Sequence, residues 1–153
     1  MQFDLSQGGQ GEWFTFFESV IEKDGKIKYL DPVEGAGKVC LRVADAEIIE
    51  KINTQTREKK AEWIFNPGTQ EMERKTYFDQ TPEQSRKERE MIWDYAIVDW
   101  KDFIDKDGNV ISCTLENKMK LMRIAVFMRF VNHCIQLINE SLLNAEERIS
   151  KNS

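Results

Sequence analysis

Apolar and polar positions alternate along the first half of the chain and recur every three to four residues along the second. Phe14 and Phe16 alternate as strand residues, although Trp13 and Phe17 interrupt the pattern. Ile27 and Tyr29 alternate again beyond Asp24-Gly25, and a glycine able to take positive φ there predicts a tight hairpin turn. Residues 38–43 read as a further strand, with Val39, Leu41 and Val43 on one face. Asp45 is placed to cap a helix over residues 46–60, with Ile48, Ile49 and Ile52 on its apolar side. Residues 63–65, the turn Asn66-Pro67-Gly68 and residues 72–78 read as a second hairpin.

Thr81-Pro82-Glu83-Gln84 is a strong helix start. Thr81 is a cap, Pro82 suits the first helical position, and Gln84 reaches back to complete a capping box. The pattern carries that helix to about Val98. Asp107-Gly108 turns the chain, and Thr114 caps a helix from Leu115 to about Met122. From Ile124 onward, Phe127, Val131, Cys134, Ile138 and Ala145 form one stripe, widened by Phe130, Leu137 and Leu142. Arg129, Asn132, His133 and Gln136 fall opposite it. The class this predicts is α+β: N-terminal antiparallel β-hairpins packed with a helical C-terminal half. Residues 1–11, rich in glycine, read as an arm. Residues 12–150 read as one domain, hairpin-rich over 12–80 and mainly helical over 81–150.

Composition narrows the function classes. The 153 residues suffice for a core without disulfides or metal. A formal net charge of −5 predicts a surface that repels nucleic acid and anionic lipid. No apolar run approaches a membrane span, and the first residues lack the pattern of a signal peptide. Cys40, Cys113 and Cys134 are an odd, scattered set, which points to reduced thiols.

Candidate chemistry is sparse. Asp105, Asp107, Asn109 and Glu116 match the acidic spacing of a calcium loop, but Val110 stands where its sharp bend needs glycine. Gly35-Ala36-Gly37-Lys38 has the glycine-lysine step of a phosphate loop, but it lacks the first glycine and the following Ser or Thr. His133 is the only histidine, and one imidazole beside Cys134 makes neither a metal site nor a catalytic pair. The expectation is a protein that is not an enzyme and needs no cofactor. The C-terminal stripe packs mainly on the domain's own sheet, and part of it, with Met119, Met122 and Met128, is a candidate docking surface.

Trp100, then Asp105–Gly108, then Thr114-Leu115-Glu116-Asn117-Lys118, then a long apolar helix, resembles the tail assembly chaperones of tailed phages. The resemblance covers roughly the last third of the chain and is a pattern of residue types. It implies a non-enzymatic protein of the host cytoplasm that holds the helical tape-measure protein, or another tail subunit, during assembly. Homo-oligomers fit this role. A neck or tail-completion protein of the virion is the structural alternative, and a calcium module through Asp105 and Glu116 the other. The docking residues expected are Trp93, Tyr95, Trp100, Phe103, Phe127 and Phe130, lining a groove between helices. On that expectation Phe130→Asp abolishes partner capture and leaves the fold intact.

Overall fold

A computed structural model describes residues 10–151, with side chains through residue 144. Most of the expected arm, 1–11, lies outside the described residues. The elements are β1 (Glu12–Thr15), β2 (Ser19–Ile21), β3 (Ile27–Tyr29), β4 (Lys38–Leu41), α1 (Ala46–Thr56), β5 (Glu58–Asn66), β6 (Glu71–Asp79), α2 (Pro82–Ala96), β7 (Ile97–Lys101), α3 (Leu115–Met122) and α4 (Ala125–Lys151). Among the described residues every strand pairing is antiparallel and strands concentrate toward the N-terminus, so the fold is α+β as predicted.

The chain forms two compact units, Met1–Val43 with Trp93–Ser153, and Ala44–Ile92. The sequence reading takes residues 12–150 as one domain, hairpin-rich over 12–80 and mainly helical over 81–150. The run Ile92, Trp93, Ala96, Ile97 reads as the end of a helix, but α2 stops at Ala96 and Ile97–Lys101 becomes a strand.

In the first unit β4 lies between β1 and β7. The register sets Trp13 opposite Cys40 and Phe14 opposite Val39. On the other side Val39 faces Trp100 and Leu41 faces Ile97. Val39, Leu41, Ile97 and Trp100 form one core with Phe127, Phe130, Val131 and Cys134 of α4, and Met122 closes it. The α4 positions are three and four apart, so they share one helical face. Burying each large apolar side chain contributes about 1.5–3 kcal/mol, before the entropy of ordering it.

Polar contacts fix the edges of this core. The Trp100 indole N–H donates to the Ile111 carbonyl at 2.7 Å and pins the segment that follows β7. Arg129, read from sequence as a solvent-side residue, donates to the Ser19 hydroxyl at 2.7 Å and the Ser19 carbonyl at 3.1 Å. That pair ties α4 to the β2–β3 hairpin, whose turn places Gly25 at φ 83°. Lys118 of α3 is buried, and its ammonium donates to the Asp94 carboxylate at 3.0 Å and the Asp94 carbonyl at 3.1 Å. A buried ammonium needs such partners, because desolvation without them costs several kcal/mol, on the order of its Born penalty after relaxation.

In the second unit Asp45 accepts the Ile48 N–H at 2.9 Å and starts α1. That helix ends at Thr56, four residues short of the expected Lys60. Glu58, Lys59 and Lys60 open β5 instead, and polar residues on an exposed strand carry no periodicity that separates them from a frayed helix. The β5–β6 hairpin spans nine pairs, from Glu58↔Asp79 to Asn66↔Glu71. Its turn closes when Asn66 accepts the Gly68 N–H on its side chain and the Gln70 N–H on its carbonyl. Gln70, not Gly68, takes the positive φ, at 55°. The Thr81 N–H donates to Gln84 Oε1 at 2.8 Å and the Gln84 N–H to Thr81 Oγ1 at 3.1 Å, the capping box expected.

Candidate docking surface

Residues alternate sides along a strand, and directly paired residues share a side. The register of β5 and β6 therefore sorts the hairpin into two unlike faces. Lys59, Ala61, Trp63 and Phe65 of β5 share a face with Phe78, Thr76, Arg74 and Met72 of β6. Glu58, Lys60, Glu62, Ile64 and Asn66 share the other with Asp79, Tyr77, Lys75, Glu73 and Glu71. The first face is apolar with two cations and no carboxylate. The second carries five carboxylates and two lysines.

The charged face is built for water. Lys60 donates to Asp79 at 2.7 Å. That hydrogen bond, then the Gln80 N–H and the charge of Lys60, holds the Asp79 carboxyl below its usual range. Asn66 donates to Glu73 at 2.8 Å.

The apolar face is open. Trp63 is 63% exposed, Phe65 55%, Met72 55% and Phe78 69%. Large side chains of this kind carry 150–250 Å² each, so these four leave roughly 500 Å² of mainly apolar surface in solvent. Contiguous patches beyond a few hundred Å² mark interaction sites on soluble proteins. A two-stranded ribbon is also marginal in water until its apolar face is covered.

The six residues expected to dock a partner sit elsewhere. Trp100, Phe127 and Phe130 are buried in the first unit's core, and Trp93 and Phe103 are half-buried against it. Phe103 makes edge contacts with Phe16, Trp100 and Phe127 at centroid separations of 5.7, 6.2 and 6.0 Å. Tyr95 is covered by the Arg42 guanidinium, 3.8 Å from its ring centre, and Arg42 also donates to the Tyr95 carbonyl at 2.7 Å. The α4 stripe that was to form the wall of a groove is sealed by β4 and β7 of its own sheet. The sequence marks these rings as apolar and periodic, and that holds equally for a core.

The other candidates are absorbed by structure. Asp105 accepts the N–H groups of Asp107 and Asn109 on its carboxylate, each at 2.9 Å, and so shapes the turn. Glu116 pairs with Lys120 at 3.0 Å along α3. Among the described residues, no three His, Cys, Asp or Glu side chains are grouped to hold a metal ion. His133 lies half-buried, stacked on Tyr29 at 4.0 Å and edge-on to Phe17, where the sequence placed it on a solvated face. Cys40 and Cys134 are buried, Cys113 is partly so, and all three are free thiols. Burial pushes the Cys134 thiol up from 9.0 to about 12, with the Glu12 carboxylate adding to it. Among the described residues, no single helix is long and apolar enough to cross a membrane.

The signal for the hairpin face is present in the sequence. Trp63 and Phe65 on one strand, and Met72, Thr76 and Phe78 on the other, keep the alternation. Periodicity gives the face, and only the fold shows that the chain leaves it open. No protein family, no curated protein and no solved structure matches the chain.

Proposed function

We propose that this chain is a non-enzymatic binding protein that shields an aggregation-prone partner, and that it serves as a tail assembly chaperone for a tape-measure or other tail protein in the host cytoplasm. The observation that carries the reading is the open apolar face of Trp63, Phe65, Met72 and Phe78. A tape-measure chain exposes long apolar helical stripes before tube subunits surround it, and such stripes aggregate unless covered. A ribbon with an open apolar face covers them without chemistry or a cofactor. The net charge of −5 keeps the resulting complex soluble. The pattern of Trp100, Asp105–Gly108 and Thr114–Lys118 supplies the resemblance to the phage proteins.

Co-expression tests this directly. A candidate tape-measure protein is produced alone, with the wild type, and with Trp63→Ser/Phe78→Ser. The wild type keeps it soluble and co-purifies with it, and the double variant does neither. An equal yield of soluble tape-measure protein in all three cultures overturns the reading. Recovery of the chain in stoichiometric amount from purified virions transfers the same face to a structural neck or tail-completion role.

A further inference from the structure

We infer that the occupant of the hairpin's apolar face is a single amphipathic helix, about four turns long, whose apolar stripe is flanked by carboxylates. The inference rests on the binding role proposed above and names the partner's chemistry.

Length comes first. The pairs on this face run from Lys59↔Phe78 to Phe65↔Met72, seven residues and six rises along each strand. At about 3.4 Å per residue that is roughly 20 Å. A helix rises 1.5 Å per residue, so about 14 residues lie along it. A helix is also the element that turns a marginal two-stranded ribbon into a stable layer.

Charge comes second. Lys59 stands at the base of the face and Arg74 at its middle, opposite Trp63, with no carboxylate among the eight residues. Both cations are exposed. A helix carrying Glu or Asp beside its apolar stripe gives them partners as the water leaves. A second copy of this chain, laid face to face, brings two more cations to the interface and supplies no acid. The heterologous helix is therefore favoured over the homodimer.

The test uses two synthetic helical peptides of about 14 residues, alike in their leucine stripe, one flanked by glutamates and one by lysines. Binding to the full chain is read by fluorescence anisotropy at low and high salt. The glutamate peptide binds about tenfold more tightly, and the preference shrinks as salt screens it. Arg74→Gln weakens the preference and Arg74→Glu with Lys59→Glu inverts it. Both variants alter exposed side chains, and circular dichroism checks that they remain folded. Equal binding of the two peptides, or tighter binding of the lysine peptide, overturns the inference. So does a concentration-dependent dimer that Trp63→Ser dissolves while neither peptide binds. If the wild type captures the tape-measure protein but ignores both peptides, the helix assignment falls and the chaperone reading stands. If the glutamate peptide binds and the tape-measure protein is not captured, only the chaperone reading falls.

Discussion

Trp63 and Arg74 face one another across the β5–β6 hairpin, on the side of the ribbon that holds no carboxylate. That pairing puts the largest exposed ring of the hairpin beside a cation at the centre of an apolar face. The same face binds an apolar fluorescent dye such as anilinonaphthalene sulfonate, whose sulfonate suits Arg74. Trp63→Ser/Phe65→Ser lowers dye binding severalfold. It changes overall stability by no more than about 0.5 kcal/mol, because the side chains removed are exposed. Dye titration and urea denaturation of the two proteins check both halves of this expectation.

Phe130 is 1% exposed and makes edge contacts with Phe16 and Phe17 at 5.0 and 4.9 Å. The sequence marks it as a docking residue whose replacement by aspartate spares the fold. The structure predicts the reverse. Phe130→Ala removes a core ring and costs about 3–5 kcal/mol. Phe130→Asp adds an unpaired buried charge and unfolds the first unit. Loss of near-ultraviolet circular dichroism from the tryptophans reports it.

Gly37 sits where a side chain has no room. An added Cβ comes within 2.8 Å of the Phe103 ring and 2.9 Å of the Lys101 carbonyl oxygen, while the Gly37 carbonyl accepts the Phe16 N–H at 2.8 Å. Gly37→Ala pushes Phe103 off the aromatic cluster and costs about 1–3 kcal/mol. Gly35, with φ 76° but open space around it, tests the contrast: Gly35→Ala strains the backbone and leaves the cluster intact. Thermal melts of both variants, with aromatic chemical shifts of Phe103, separate the two effects.

Cys134 gives the pH dependence. The folded thiol keeps its proton until about 12, whereas the unfolded one releases it near 9.0. The raised folded value means the contribution is whole below 9.0 and is lost as pH rises toward about 12. In that window stability falls by about 1.4 kcal/mol per pH unit for this group. Cys134→Ala lacks the slope, so the gap between wild type and variant narrows as pH is raised above 9.0. Urea denaturation just below that value and about one unit above it measures the change.

Local signals explain which elements were legible in the chain. Asp45, Thr81 with Gln84, Thr114 and Gly25 each satisfy or shape their own neighbourhood, and each does so where the sequence placed it. Strand β7 escaped because its pairing is with Val39 and Leu41, more than fifty residues earlier, while its neighbours Trp93 and Ala96 continue a helical pattern. The start of strand β5 escaped because Glu58, Lys59 and Lys60 carry no apolar periodicity. The six aromatic residues expected at a site were correctly read as apolar, but a stripe that packs a sheet and a stripe that meets a partner are spelled alike. Only the packing, which buries Trp100 and Phe127 and leaves Trp63 and Phe78 open, separates them.

Photo-crosslinking in cells that produce the chain together with a candidate tape-measure protein tests the proposed binding role most directly. A benzophenone-bearing residue is placed at position 65, on the apolar hairpin face, and in a second strain at position 143, where α4 leaves Leu143 exposed. Under the proposed role, irradiation joins the chain to that tape-measure protein from position 65 and not from position 143. Crosslinks to that protein from position 143 alone contradict it.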